Sequence, residues 1–196
     1  MYHVIRYGPA EDNAASLYLD PIPGFEKKKV SFMSGARLGP LPPLTARKRV
    51  GAEGDMVDYM SASPATLVFS PRFREALESA GVDNVDYYPL TLIDEASGKK
   101  TSGHQAANVV GLIDCMDRQT SVFTPMAGFP AEPLGKNTIF ELKELHLAPQ
   151  RVQGAKLFRL FGKPSVLIVH ESVKEVLQKS GMRGFQFKPA EGYAGV

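Results

Sequence analysis

Residues 54 to 89 read GDMVDYMSASPATLVFSPRFREALESAGVDNVDYYP, and residues 154 to 189 read GAKLFRLFGKPSVLIVHESVKEVLQKSGMRGFQFKP. Aligned at an offset of 100 residues without a gap, the two stretches are identical at seven of 36 positions, and between residues 68 and 87 seven further positions are apolar in both. We interpret them as two copies of one supersecondary unit. A solenoid needs three or more stacked units, so two copies predict two halves of one domain.

The first copy predicts a strand, a helix and a second strand. Residues 67 to 69 (LVF) are typical of a short buried strand, and four apolar residues between 73 and 80 then recur at the spacing of one helical face. Ser70 is a candidate N-cap, and Pro71 suits the first helical position because its missing N–H is not needed there. Gly81 predicts the helix end, since glycine adopts a left-handed conformation without strain.

The second copy predicts the same three elements. Positions 173 to 180 repeat the helical spacing, and Ser172 with Glu175 has the spacing of a capping box. Gly181 stands where Gly81 ends the first helix. After each glycine, alternating apolar residues predict a closing strand that stops at a proline.

The predicted fold class is α+β, with mixed or antiparallel sheets and two strand-helix-strand units repeated 100 residues apart. We expect one domain over residues 1–196, with one half at about 54–115, the other at about 138–196, and an amino-terminal strand with a proline-rich connection over 1–53. Further strands and connections follow from alternation and from proline clusters. The strands are 2–7, 87–94, 106–114 and, favoured over a helix, 138–147; the connections are 20–49 and 124–137.

Composition limits the function classes. The 196 residues are 43% apolar, enough for a full core, and the formal net charge of +2 is too small to indicate a nucleic acid or a membrane surface as partner. We find neither an apolar run of membrane-spanning length nor the apolar segment of a signal peptide, so we expect a cytosolic protein. The single cysteine, Cys115, excludes an internal disulfide.

Common catalytic and metal-binding motifs fail on spacing. The four histidines are far apart in sequence and none is near Cys115, so no local zinc-ligand pair exists. The G-x-S-x-G motif of serine hydrolases does not occur. The stretch 128–138 departs from a phosphate-binding loop because six residues instead of four separate its glycines and because Asn137 stands where a metal-binding Ser or Thr is needed. We therefore predict no catalytic residue, no metal site and no cofactor.

The segment from Asp114 to Arg118 is the closest approach to a catalytic motif. Cys115 with Asp117 and Arg118 is similar in content to phosphatase loops, but only two residues separate the cysteine from the arginine, where roughly five are needed to wrap an anion. We favour a structural interpretation, with a buried strand at 109–113 and Cys115 as a small core residue.

Arg47, Lys48 and Arg49 form a basic triplet. A short charge run is usually a solvated loop, and without interleaved aromatic residues it is not typical of a nucleic-acid platform. A contact with a phosphate or an acidic protein needs only the charge, so that smaller interpretation stays open.

Three ordered motifs resemble those of a family of bacterial immunity proteins from polymorphic toxin systems, represented in myxobacteria and proteobacteria. They are an N-x5-D-x2-D-x3-S segment, an FRL strand, and a carboxy-terminal helix that ends in glycine before a G-F-x-F-x-P strand. The residues that carry them are Asn108, Asp114, Asp117 and Ser121; Phe158, Arg159 and Leu160; and Gly181, Gly184, Phe185, Phe187 and Pro189. The resemblance covers roughly residues 55–190.

The resemblance implies a small cytosolic protein that binds and neutralises a cognate toxin delivered by a neighbouring cell, by stoichiometric inhibition and without turnover. The motif residues are mostly framework, so we expect the toxin to contact loops that the two copies do not share. The predicted toxin-binding residues are Arg37, Arg47, Lys48 and Arg49 in the 37–49 loop, and Asp94, Glu95, Lys99 and Lys100 in the 94–103 hairpin. The oligomeric state is left open.

Two alternatives remain at this point. One is a small enzyme that uses Asp114, Cys115, Asp117 and Arg118. The other is a general protein or nucleic-acid interaction module, whose binding to nucleic acid would fall steeply with salt.

Overall fold

The protein is described by a computed structural model over residues 1–8, 13–25, 30–126 and 138–195. Within these ranges the chain forms fifteen strands, two α-helices and a short 3-10 helix at Pro149–Arg151. In chain order the elements are β1 (Tyr2–Tyr7), β2 (Ser16–Leu19), β3 (Leu44–Lys48), β4 (Tyr59–Ser63), β5 (Thr66–Phe69), α1 (Pro71–Ser79), β6 (Val85–Asp94), β7 (Lys100–Thr101), β8 (Gln105–Val109), β9 (Leu112–Ile113), β10 (Val122–Pro125), β11 (Ile139–Leu145), β12 (Leu157–Leu160), β13 (Lys163–His170), α2 (Glu171–Lys179), β14 (Phe185–Pro189) and β15 (Tyr193–Gly195). The fold is therefore mostly β, and the α+β prediction holds in that coarse sense.

Both predicted helices are present. We call β5–α1–β6 the first unit and β13–α2–β14 the second unit. Ser70 caps α1 by accepting a hydrogen bond from the Phe73 backbone N–H, as predicted. Gly81 and Gly181 follow the two helices with φ angles of 75° and 66°, the left-handed conformation expected of a helix stop.

The predicted cap of the second helix is wrong. Helix α2 begins at Glu171, and its N-cap is His170, whose Nδ1 accepts from the Ser172 backbone N–H at 3.2 Å. Ser172 therefore lies inside the first turn. The helix starts early because β13 leads directly into it and the Glu171 backbone N–H donates to the Met1 carbonyl at 2.9 Å.

Six strands close into a barrel in the order β3-β2-β4-β5-β8-β6, and β6 returns to β3. Closure uses two parallel pairings, β2 with β4 and β3 with β6, and β7 extends the barrel wall from the edge of β6. Strands β2 and β4 and the barrel were not predicted from the sequence, and the segment that contains β3 was predicted to be a connection. Leucine, valine, alanine and aromatic side chains, including Phe32 and Tyr88, fill the barrel interior.

Two smaller sheets complete the described part of the chain. One has the order β14-β1-β13-β12-β9, and the other has the order β10-β11-β15. The predicted strands at 2–7 and 138–147 are confirmed as β1 and β11, while the carboxy-terminal part of the predicted 124–137 connection, residues 127–137, lies outside the described residues.

Two apolar layers join these sheets. The first lies between the outside of the barrel and the five-stranded sheet and contains the buried faces of both helices. The second lies between the five-stranded and three-stranded sheets. Successive side chains of a strand alternate between faces, so Leu157 and Arg159 of β12 point toward the first layer while Phe158 and Leu160 point toward the second.

The strand registers do not support the whole of the gapless alignment that suggested a repeat. Tyr59 pairs with Phe69 in the β4–β5 hairpin, whereas Leu157 pairs with Val169 in the β12–β13 hairpin. The later residues of these pairs differ by 100 positions and the earlier ones by 98. A gapless alignment of 54–66 on 154–166 is therefore not supported.

Candidate binding surface

The two candidate loops meet at one end of the barrel. Strands β3 and β6 are parallel neighbours, with Lys48 level with Asp94, and the Glu95 backbone N–H donates to the Lys48 carbonyl at 3.0 Å. Parallel strands end at the same edge of a sheet, so the residues that follow them lie side by side. The structure thus brings together seven of the eight predicted residues, all except Arg37.

Arg37 lies at the other end of β6. Its guanidinium pairs with Asp86, near the start of that strand, and two-thirds of its side chain is exposed. Eight residues of extended strand, about 26 Å, separate Asp86 from Asp94. The loop before β3 therefore does not act as one surface with the basic triplet.

Part of the charge at the barrel end is neutralised internally. The Arg47 Nε donates to both carboxylate oxygens of Asp20 at 2.8 and 2.9 Å, and these hydrogen bonds raise the pKa of Arg47. Lys48 donates to the Gly54 carbonyl at 2.6 Å and lies 3.8 Å from Asp94. These residues stabilise the end of the barrel rather than offering free charge.

Asp94 organises the tip of the β6–β7 hairpin. Its Oδ1 accepts from the backbone N–H groups of Ala96 and Ser97 at 3.0 and 3.1 Å. The hydrogen bond from Ser97 is the main cause that holds the pKa of this carboxyl below its ordinary value. Asp94 thus fixes the turn that presents the two lysines beyond it.

A lateral row of outward-facing residues crosses four strands. Tyr18 pairs with Arg47, Arg47 with Ile93, and Ile93 with Lys100. Their neighbours along the strands, among them Leu17 and Leu92, point into the barrel. Adjacent strands are about 4.8 Å apart, so the row spans about 14 Å of the barrel wall.

Exposed aromatic, apolar and basic side chains lie on and beside this row. The Arg49 guanidinium lies 4.8 Å from the centre of the Tyr18 ring, which is a cation–π contact. Tyr18 is 40% exposed and Val50 is 71% exposed. Lys99 and Lys100 are exposed and have no ion pair within the described part of the chain. We call Tyr18, Arg49, Val50, Lys99 and Lys100 the barrel-end surface.

Tyr18 and Val50 were not among the predicted residues. Tyr18 stands between Leu17 and Leu19 in the run SLYL, and this alternation indicates a strand whose tyrosine points outward. Val50 carries no comparable signal, because a single valine beside a basic run is as compatible with burial as with exposure.

The Asp114–Arg118 segment is not arranged as a catalytic site. Cys115 is fully buried, and that burial raises the pKa of its thiol to about 11, so the thiolate nucleophile does not form near neutral pH. Arg118 lies 3.4 Å from Asp114, and Asp117 accepts from the Gln119 backbone N–H at 2.9 Å. The carboxylate of Asp117 closes a turn.

Neither a group of metal-binding side chains nor a membrane-spanning helix is found in the described ranges. No three His, Cys, Asp or Glu side chains of those residues are grouped so that they could hold a metal ion. Neither α1 nor α2, each of nine residues, is long and apolar enough to cross a membrane.

A family model described as "Immunity protein family (Imm11)" matches residues 16–192 of the chain. The chain belongs to the Imm11 immunity protein family. No curated protein matches it. The match extends over the barrel, both helices and all of the five-stranded sheet except β1. The predicted family is therefore confirmed, and toxin immunity is the general role that Imm11 membership indicates.

Most of the motif residues behind the resemblance hold the framework. Asn108 is fully buried and donates to the Ala36 carbonyl at 2.9 Å. The Ser121 hydroxyl accepts from the His146 backbone N–H at 2.9 Å. Gly184 has a φ of 101°, and a Cβ there would overlap the Tyr59 carbonyl. Among the described residues, two buried nitrogens of Arg159, Nε and Nη2, have no hydrogen-bond partner, and neither has the Oδ1 of Asn108.

Proposed function

We propose that this Imm11 protein neutralises a cognate toxin by stoichiometric binding through the barrel-end surface. The observation that carries the proposal is the grouping, at one end of the barrel, of an exposed Tyr–Arg pair, an exposed valine and two lysines that have no ion pair among the described residues. Membership of an immunity family supports a toxin as the partner.

The composition of this surface suits a protein partner. Tyrosine and arginine are enriched among the residues that dominate protein–protein binding energy, and Tyr18 and Arg49 already pack against each other. Lys99 and Lys100, which form no ion pair with other described residues, can pair with acidic side chains of the toxin and steer its approach. A standard interface buries about 1,600 Å² in total, so neighbouring parts of the barrel wall must also contribute.

The internally paired residues support binding by holding the surface rigid. Arg47 with Asp20, Lys48 with Gly54, and Asp94 with its own turn keep the barrel end in one conformation. Less conformational entropy is then lost on association. We assign these three residues a positioning role and assign direct toxin contact to the barrel-end surface.

A charge reversal tests the surface. We expect the double variant Lys99→Glu/Lys100→Glu to bind the toxin at least tenfold more weakly by calorimetry, because attraction to acidic groups becomes repulsion. Its melting temperature should stay near that of the native chain, since both lysines lack ion pairs within the described ranges.

The matched control is Lys179→Glu/Lys188→Glu, which reverses two exposed lysines away from the barrel end. It should leave toxin affinity unchanged. Arg37→Glu tests the other predicted loop separately. If the Lys99/Lys100 variant binds like the native chain, the barrel-end proposal fails, and a loss of affinity in Arg37→Glu alone would place the interface at the other end of β6.

Stoichiometry tests the mode of action. We expect toxin activity to fall in proportion to added protein and to vanish near equimolar amounts. Complete inactivation at far lower ratios would indicate turnover and would favour the enzyme alternative. Salt-sensitive binding to nucleic acid without any toxin would favour the interaction module.

The proposal places this encounter in the cytosol, where the lone Cys115 needs no disulfide partner.

We also infer one domain whose two halves are equivalent in structure. In the first unit β8 lies between β5 and β6, and in the second unit β1 lies between β13 and β14. Ala107 pairs with Leu67 and Tyr87, as Ile5 pairs with Leu167 and Phe187. These matching registers support structural equivalence of the two halves from β5 onward in the first and from β13 onward in the second.

A further inference from the structure

Arg159 is a buried cation that forms no ion pair with any residue the structure describes. It lies on β12, is 3% exposed, and points into the layer between the barrel and the five-stranded sheet. Its Nη1 donates to the Pro164 carbonyl at 2.8 Å. Its Nε and Nη2 have no hydrogen-bond partner among the described residues.

A cavity of about 360 Å³ opens beside this guanidinium. Strands β1, β12 and β13, the turn before β5 and the carboxy-terminal strand β15 supply its walls. Tyr7 is 47% exposed, so the cavity reaches the surface beside that ring. Within the described ranges the lining contains two arginines, three tyrosines and a serine, and it contains no aspartate or glutamate.

A structural role alone does not account for Arg159. The alternation of β12 places it on the same face as Leu157, where an apolar residue would extend the first core layer. A buried charge is tolerated when it is paired and fully hydrogen-bonded, and removal from water otherwise disfavours it. Burial here lowers the pKa of Arg159, which is the direction expected for a cation without a carboxylate beside it.

We propose that the Arg159 cavity is a binding site for a carboxylate group. The two unpartnered nitrogens, Nε and Nη2, lie along one edge of the planar guanidinium and donate in parallel, which matches the two oxygens of a carboxylate. The apolar walls formed by Val166, Leu167 and Met33 leave room for a small body attached to that group. An incoming carboxylate supplies the counter-charge that the lining lacks.

The tyrosines at the cavity suit the same ligand. Tyr7 and Tyr59 line it with their rings 5.7 Å apart. Burial raises the pKa of both phenols, so each stays protonated and neutral over the physiological range. Neutral hydroxyls donate hydrogen bonds to an anion and do not repel it.

The carboxylate has two possible sources, a free small acid or an acidic group on a partner protein. The first arm of the test measures melting curves of the full chain with acetate and with phenylacetate, each against chloride at equal ionic strength. A bound carboxylate stabilises the native state by mass action, so we expect a concentration-dependent rise in melting temperature. Arg159→Met should fold, because an apolar replacement fills the layer, and should lose this rise.

Arg159→Lys separates charge from geometry. Lysine keeps the positive charge but lacks the planar edge, so we expect carboxylate affinity to fall at least tenfold relative to the native chain. If acetate raises the melting temperature equally in the native chain, Arg159→Lys and Arg159→Met, the anion binds elsewhere and the proposal is overturned.

The second arm measures toxin affinity, and it alone depends on the proposed function. A tenfold or greater loss for Arg159→Met, with no response of the native chain to small acids, would assign the carboxylate to the toxin and support the site. Unchanged toxin affinity together with no response to small acids would overturn it. Failure of the barrel-end variants to affect binding would instead bear on the proposed function, since those residues lie outside the cavity.

Discussion

The first unit, β5–α1–β6, and the second unit, β13–α2–β14, bury the same positions of their helices. The side chains that stabilise the N-terminus of each helix are different. Phe73 and Leu77 of α1 are buried, as are Val173 and Leu177 of α2. All four belong to the same apolar layer. The two helices are equal in length and in the order of buried and exposed positions after their first turn.

The helix starts differ in charge. At α1 the Ser70 hydroxyl accepts from the Phe73 N–H at 3.2 Å and donates to the Asp58 carboxylate at 2.6 Å. At α2 the Glu171 carboxylate lies 2.5 Å from His3 and 2.9 Å from Lys174. The hydrogen bond with His3 is the main reason that the pKa of Glu171 falls to about 2.

This contrast separates two kinds of information in the chain. The buried face of each helix follows from the spacing of apolar residues, which is local. The start of α2 depends on β1, which comes from the other end of the sequence and brings His3 beside Glu171. Substitutions at matching positions of the two units test how far the units are equivalent, and the largest effect is expected in the shared apolar layer.

Truncation of Leu77 in the first unit and of Leu177 in the second should lower the free energy of unfolding by the same amount. We expect Leu77→Ala and Leu177→Ala each to lower the free energy of unfolding by about 2–5 kcal/mol, because each removes a fully buried side chain and leaves a cavity. Urea titration followed by circular dichroism measures both losses.

Glu75→Ala and Glu175→Ala are the matched controls, since both carboxylates are exposed on the opposite helix face. They should change stability by less than about 0.5 kcal/mol. A difference of more than about 2 kcal/mol between the two leucine variants would show that only one unit depends strongly on the shared layer.

Removal of the serine hydroxyls should distinguish the two helix starts. We expect Ser70→Ala to lower the free energy of unfolding by about 1 kcal/mol, because the N-cap bond to Phe73 is lost and the Asp58 carboxylate keeps only its hydrogen bond from the Arg183 backbone N–H. Ser172→Ala should lower the free energy of unfolding by clearly less than Ser70→Ala does, since His170 is the N-cap of α2. Thermal unfolding of the two variants gives the comparison, and equal losses would contradict the assignment of His170 as the cap.

The smallest expected change in stability comes from the Glu171 carboxylate, so it should depend on pH and should appear only in the second unit. The pKa of Glu171 is about 2 in the folded protein, below its ordinary value of 4.5, so its ionised form is favoured by folding. That stability is present above pH 4.5 and is lost as the pH falls toward 2. Glu171→Gln should therefore melt below the native chain at pH 7, and the gap should close under acid.

Glu175→Gln is the control, because this exposed glutamate lies one turn further along the same helix. Its melting temperature should follow that of the native chain at every pH. A gap between Glu171→Gln and the native chain that widens under acid would show that the His3–Glu171 pair does not stabilise the folded state as its ionised carboxylate.

Local sequence patterns determined a large part of this fold. Apolar spacing and capping signals located α1 and α2, the stop at each glycine and the flanking strands, because these features depend on residues within one or two turns of each other. The spacing of Cys115 and Arg118 predicted a structural cysteine, and Cys115 is buried in the fold; three ordered motifs indicated the immunity family.

Only the tertiary structure decided how these pieces close on one another. The barrel needs β2 to pair with β4 and β3 with β6, and such parallel contacts join segments some 45 residues apart that carry no local signal of each other. The same closure separates Arg37 from the basic triplet and adds Tyr18 to it. It also buries Arg159 between two sheets, which no neighbouring residue in the sequence could reveal, since burial depends on what packs above a strand.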